Sequence, residues 1–325
     1  MKIDTKIAQL SRGAPLGIIG DVNVDLIMGP LNTWPAIGTE TIVEKSEMRA
    51  GGSAGNAALA LAALGADVSL YAGTGADSLG EWLRAQFSGI TAHFDLIAAP
   101  TSISVGVLHT SGERTFLTAD GHLSKQGWDD IARIIPIAPC DEATVLLTAP
   151  FLLPELRRKY AGIIIGLRGL GYRIALDTGW PPEGFTPEVL KDVRWWLSLV
   201  DHVLLNELEI TSLAKTSDID KAMEVLACGL RPGATLVAKM GAKGAIAICE
   251  DERATYTPSA NPDIFDTVGA GDAFNAGYLF ARARGLGLEG ALVCGCDTAT
   301  RIIGQFPRRH DLVMPTPQTS TEETF

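Results

Sequence analysis

Residues 266–274 read Asp-Thr-Val-Gly-Ala-Gly-Asp-Ala-Phe, a loop tightening into a helix. Gly269 and Gly271 lack a Cβ, so the backbone can bend there and approach a ligand closely. Beyond them, Phe274, Tyr278 and Ala281 recur at helical spacing. The unpaired N–H groups at such a helix start, together with the helix dipole, attract anions. Asp272 falls in the first turn. A carboxylate beside an anion-binding backbone is a base next to a phosphate, as phosphoryl transfer to a hydroxyl requires. The plainer reading is an acidic residue that favours the helix dipole, with glycines that only shape a turn.

A second polar set lies near the N-terminus. Asp21, Asn23 and Asp25 alternate with Val22 and Val24, and period two places the three polar side chains on one face. They follow the apolar run Leu16 to Gly20, a buried strand, and open α/β sheets bind ligands at strand C-terminal ends. A hydroxyl-rich ligand suits them; a polar strand exit facing water is the alternative. Gly51-Gly52-Ser53-Ala54-Gly55-Asn56 then precedes an alanine- and leucine-rich helix ending at Gly65. Asn56 could both donate to and accept from a ligand, or simply sit near the helix start.

Further along, Asn206 and Glu209 lie three apart at the end of a strand. They could hold water around Mg²⁺ or form a capping box. Gly241 and Gly244 flank a turn where an adenine or phosphate could come close, with Lys243 solvated. Arg114, in a β-rich stretch, is expected to pair with an acid across strands. Gly73 to Gly80 lacks the spacing of the dinucleotide fingerprint, which argues against an NAD site.

These residues need a scaffold, and its pattern is legible. A strand spans 67–73. From about 143, strands at 143–147, 173–177 and 201–205 alternate with helices at 154–170 and 187–199, which implies βαβ units and a parallel sheet. Strands at 235–239 and 245–249 follow, and a last helix spans about 289–303. Residues 35–49, extended and flap-like, and the β-rich 92–118 could form a small separate sheet. The chain has 325 residues, 46% hydrophobic and 20% charged, ordinary for a globular enzyme. A net charge of −11 disfavours nucleic acid as a partner. Five cysteines without a CxxC fit a reducing compartment, with Cys294 and Cys296 as packed thiols. Neither a signal peptide nor a membrane span is evident, so the expected location is cytoplasmic, without a membrane partner. Residues 316–325 read as a disordered polar tail.

The two glycine-rich stretches, 51–58 and 266–274, resemble the paired signatures of the ribokinase-like (pfkB) carbohydrate kinase family. Asp21-x-Asn23-x-Asp25, Gly75-x-Asp77-x-x-Gly80, Asn206-x-x-Glu209 and Gly241-x-Lys-Gly244 match further parts in the family's order, over roughly residues 16–310. The resemblance implies a single three-layer α/β domain over 1–325: a mostly parallel sheet with helices on both faces, and a β-sheet lid from about 35–50 and 92–118. It implies an ATP- and Mg²⁺-dependent kinase acting on a primary hydroxyl of a sugar or sugar-like substrate.

By that resemblance Asp272 is the base, and Gly269, Ala270 and Gly271 offer backbone donors to the transferring phosphate. Asn206 and Glu209 hold Mg²⁺ through water. Asn206, Gly241, Gly244 and Thr267, with Gly269 and Gly271, line the nucleotide. Asp21, Asn23, Asp25, Gly51, Gly52 and Asn56 hold the sugar. Some members carry a monovalent cation, K⁺, near Asp266 and residues 301–310, and family lids often form homodimers. Where ribokinases commonly carry Lys in the first signature, this chain has Ser53-Ala54, which points away from ribose. Lys45 and Arg49 are the only cations nearby, which disfavours a sugar phosphate. A nucleoside (adenosine-type) kinase and a non-catalytic sugar-binding sensor are the alternatives; intact Asp272 and Glu209 argue against the sensor.

Overall fold

A computed structural model describes residues 13–112, 114–259 and 266–309. The expected tail, 316–325, lies outside them. In chain order, β1 (Leu16–Ile19), β2 (Asn23–Leu31) and β3 (Lys45–Gly51) lead to helix α1 (Ser53–Ala63). Then come β4 (Val68–Gly75), α2 (Ser78–Ala85), β5 (Thr91–Ile97), β6 (Ile103–His109), β7 (Arg114–Thr118) and α3 (Asp129–Ile134). The regular second half runs β8 (Thr144–Thr148), α4 (Pro154–Gly169), β9 (Arg173–Asp177), α5 (Pro187–Leu197), β10 (His202–Asn206), α6 (Glu207–Ala214) and α7 (Ile219–Ala227). It closes with β11 (Thr235–Lys239), β12 (Ala245–Cys249), β13 (Glu252–Tyr256), α8 (Ala270–Arg282) and α9 (Leu288–Ile303).

Nine strands form one sheet in the order β13-β12-β11-β10-β9-β8-β1-β4-β5. From β11 through β5 every neighbouring pair is parallel; β12 and β13 join antiparallel at one edge. Parallel strands buried on both faces must be apolar throughout, and here alternate residues enter two different cores. Val145 and Leu147 face the layer of α3 to α7, whereas Leu146 faces the layer of α1, α2, α8 and α9; β9, β10 and β11 alternate likewise. Three layers result, with the carboxyl ends of the parallel strands along one rim.

A second sheet, β3-β2-β6-β7, stands apart from the first. Its boundaries differ from the sequence expectation of 35–50 and 92–118. Residues 91–97 form β5, which extends the main sheet beside β4. The centre of the small sheet is β2, paired antiparallel with β3 and parallel with β6. That strand is hard to see in sequence, because Gly29 and Pro30 interrupt its alternation and Pro30 has no N–H for the ladder. Residues 35–44 are irregular chain joining β2 to β3.

Asp21 explains why α1 starts at Ser53, ahead of its alanine run. Its Oδ1 accepts from the backbone N–H of Ser53 at 3.0 Å and of Ala54 at 3.4 Å, so a residue from another segment caps the helix. Asp77 plays a similar part within the third matching motif. It accepts from the Gly80 amide and the Thr101 amide, both at 2.8 Å, capping α2 and tying it to the chain entering β6. Cys294 and Cys296 are buried free thiols on α9. Among the described residues no helix is long and apolar enough to cross a membrane.

Candidate active site

Helix α8 begins at the rim, with Gly269 as its N-cap in the left-handed region at φ 75° and no side chain capping it. The amides of Gly271 and Asp272, in the first turn, have no preceding helical carbonyl to bond. Ala270 differs from expectation: its N–H donates to the Thr267 carbonyl at 3.2 Å, closing the turn. The free donors are therefore those on its C-terminal side.

Asp272, half-buried, projects from this turn toward α1. Its Oδ2 accepts from Asn56 Nδ2 at 2.9 Å, so α1 and α8 meet at the candidate base. Burial, aided by the Asp177 carboxylate, pushes the Asp272 carboxyl up to about 7, against the pull of Asn56 and Lys239. The group thus titrates near neutrality, where a general base is most useful.

Three side chains with no motif complete the floor. Asp177, last in β9, pairs with Lys239 Nζ, last in β11, at 2.6 Å. Asn275, one turn along α8 from Asp272, donates to the same Asp177 oxygen at 2.5 Å and accepts from Lys239 at 3.2 Å. Glu209 is buried, and its carboxyl is raised by desolvation and by Asp177. Asp177, Glu209 and Asp272 all act on Lys239 and raise its pKa against its own burial. Three carboxylates thus share one ammonium, and the surplus negative charge suits a cation.

Asn206 and Glu209 do form the capping box. The Glu209 amide donates to Asn206 Oδ1 at 2.9 Å, and the Asn206 amide donates to Glu209 Oε2 at 2.8 Å. Among the described residues no group of three or more His, Cys, Asp and Glu side chains could enclose a metal directly. Mg²⁺ keeps most of its waters and binds through one or two carboxylates plus substrate phosphate, so Glu209 in this acidic setting fits it.

The N-terminal polar set sits on the other side of Asn56. Asn23 Nδ2 donates to Asp25 Oδ1 at 2.8 Å and to Ser104 Oγ at 3.0 Å. Burial raises the Asp25 carboxyl to about 6, tempered by Arg49 opposite it on β3. The glycine pair has a steric reason: a Cβ on Gly51 would overlap the Asp25 carboxylate, and one on Gly52 would lie 2.8 Å from Asn23 Oδ1. The Asp21 carboxylate accepts from the start of α1, and burial raises it to about 6.

Gly241, at φ 57°, has open space where a Cβ would be. Gly244 is glycine because a Cβ there would lie 2.8 Å from the Thr257 Cα, a reason of packing. Thr267 Oγ1 accepts from Arg114 Nη1 of β7 at 2.6 Å, where a cross-strand acid had been expected. Arg114 therefore ties the small sheet to the 266–272 turn, and Val268 packs with Ile27 and Leu108 at the same junction.

Asp177 and Lys239 carried a usable signal, each being the polar last residue of an apolar parallel strand. Asn275 lies three positions from Asp272, on one helical face. Arg308, buried against Asp266, carried none.

The sequence pattern of the pfkB family carbohydrate kinases matches residues 16–310. A 1-phosphofructokinase from Haloferax volcanii is 28% identical over 78% of this chain and 80% of its own length. A probable sugar kinase from Rhizobium etli has the same fold, with a TM-score of 0.76, 22% identity, and coverage of 92% of this chain and 96% of that one. The Arabidopsis thaliana ribokinase solved with ribose and ATP aligns with a TM-score of 0.74 and 20% identity, over 90% of this chain and 93% of that one. With the sequence pattern covering both glycine-rich signatures and the fold placing them against each other through Asn56 and Asp272, the chain belongs to the pfkB family of carbohydrate kinases.

Proposed function

We propose that this sugar kinase transfers the γ-phosphoryl group of ATP to a primary hydroxyl of a neutral sugar or sugar-like acceptor, with Asp272 as general base. The carrying observation is the Asn56–Asp272 hydrogen bond, which joins the hydroxyl-binding set to the start of α8. The acceptor lies over Asn23, Asp25 and the Gly51-Gly52 backbone, with its reacting hydroxyl toward Asp272. Asp272 takes the hydroxyl proton as the new P–O bond forms and the bond between the γ-phosphorus and the departing ADP oxygen breaks. The amides of Gly271 and Asp272 and the α8 dipole stabilise charge on the transferring phosphoryl oxygens. Gly241 and Thr267 border the nucleotide, beside Gly269. Glu209, braced by Asn206, would hold Mg²⁺ through water, and the ion would supply neutralisation of phosphate charge.

A neutral acceptor is favoured because Arg49, a cation beside Asp25, is already engaged by Glu47 at 3.1 Å and Asp266 at 2.7 Å. The small sheet serves as the lid that excludes water. Exposed Met48 and Leu117 on its strands, with Ile37 and Ile42 between β2 and β3, support a homodimer through it. Five free thiols support a cytoplasmic setting.

ADP release measured over a panel of neutral sugars, sugar phosphates and nucleosides tests the reading. Turnover with a neutral sugar, reduced about 10²–10⁴-fold in Asp272→Asn, is expected. Near-normal turnover by that variant removes the base assignment, and turnover confined to nucleosides or sugar phosphates removes the acceptor class.

A further inference from the structure

We infer that the buried guanidinium of Arg308 takes the place of a bound monovalent cation, so that the 266–272 turn is held, and the kinase works, without K⁺. Arg308 follows α9, and its side chain is 1% exposed. One Nη donates to the Val268 carbonyl; the other donates to the Asp266 carbonyl at 3.1 Å and to the Asp266 carboxylate at 3.0 Å. Asp266 is fully buried, and the same carboxylate oxygen meets Arg49 of β3 at 2.7 Å. Its other oxygen accepts the Val268 amide at 2.8 Å.

Two peptide oxygens and a carboxylate oxygen gathered around one guanidinium are the kind of ligands a hard cation would take. Here a positive side chain already holds them. A K⁺ ion beside it would face two guanidiniums in a poorly screened interior, where like charges repel strongly. The monovalent cation raised by the family resemblance therefore does not fit this chain. Burial, with Arg49 nearby, lowers the Arg308 pKa to about 10, which leaves it charged across the neutral range.

The same contact reaches the candidate catalytic turn. A Cβ on Gly269 would lie 3.0 Å from Asn56 Nδ2 and 3.3 Å from Arg308 Nη1, so this N-cap is wedged between the two. The backbone amide of Arg308 also donates to Glu47 of β3 at 2.7 Å. Arg308 is thus a positioning residue: it sets the turn that carries the amide donors and links it to the small sheet through Asp266, Arg49 and Glu47. A displacement of about 1 Å at such a turn costs on the order of 10²-fold in rate.

The activity arm of the test rests on the kinase reading above; the melting arm does not. Wild type and Arg308→Ala are compared in KCl, NaCl and tetramethylammonium chloride at matched ionic strength, by turnover and by melting temperature. Wild-type turnover is expected to agree within about twofold across the salts, with no melting shift particular to K⁺. Arg308→Ala is expected to lose about 10²-fold in tetramethylammonium and to regain part of it with K⁺ or added guanidinium. Stimulation of wild type by K⁺ of about tenfold, a K⁺-specific rise in its melting temperature, or an Arg308→Ala loss that neither cation restores overturns the inference. If Arg308→Ala does not fold, the wild-type salt comparison decides. If no acceptor is turned over, the melting comparison decides, and the two failures stay distinct.

Discussion

Asn56 Nδ2 donates to Asp272 Oδ2 at 2.9 Å across 216 positions of sequence, and that bond lowers the pKa of the candidate base. Substituting Asn56→Ala removes a stabiliser of the charged carboxylate, so Asp272 should hold its proton to higher pH. The expected outcome is an acid limb of kcat/KM displaced upward, with turnover reduced about 10-fold or more at neutral pH. A pH–rate profile of the variant checks this; an unmoved limb separates Asn56 from the base.

Protonation of Asp272 predicts both activity and stability against pH. Activity should rise as pH passes about 7, when the buried carboxyl ionises. Stability should move the other way. From about pH 4 to 7 the unfolded chain releases this proton while the folded protein keeps it. The folded state then binds more protons, and stability falls as pH rises. Asp272→Asn has no such proton, so it should gain on wild type from pH 4 to 8 by a few kcal/mol, at roughly 1.4 kcal/mol per unit. Paired urea melts at the two pH values test the sign.

Among the described residues Lys239 is the only cation bonded to Asp177, and it faces Glu209 and Asp272 as well. Lys239→Met leaves the buried Asp177 and Glu209 and the half-buried Asp272 uncompensated and should destabilise the protein by about 3–5 kcal/mol. Lowering the pH toward 5, where Glu209 and Asp272 take up protons, should restore much of that loss. Thermal melts of the variant across pH would show it; a pH-independent loss would point to packing instead.

Arg114 is exposed yet donates to Thr267 at 2.6 Å, from the small sheet to the turn before α8. Arg114→Ala should leave the melting temperature within about 1 °C, since exposed contacts contribute little to stability. Turnover should fall by about 10-fold if this contact holds the sheet closed over the acceptor. Unchanged kcat and KM would make the contact incidental.

The sequence by itself determined the layered α/β architecture and the two glycine-rich turns, because both are written in local pattern. Apolar runs such as 143–147 and 201–205 declare buried strands, and Gly269 and Gly271 declare a bent helix start next to Asp272. Local pattern misled where a long-range partner decided the outcome. Residues 91–97 and 103–109 look alike in sequence, yet one strand joins the main sheet through β4 and the other the small sheet through β2. Asp21 alternates with Asn23 and Asp25, yet its cap on α1 could not be read locally, because the strand ends before it and the helix start comes from another segment.

Tertiary structure alone decided which charges share a buried space. Asp177, Lys239 and Asn275 come from two strands and a helix, and no spacing rule links them. Arg49, Asp266 and Arg308 likewise meet only when β3, the 266–272 turn and the chain beyond α9 converge. Coulomb energy depends on separation and burial in space, which order along the chain does not encode. The strands and turns could therefore be read from the chain, whereas the raised carboxyl of Asp272 and the guanidinium beneath its turn belong to the folded protein.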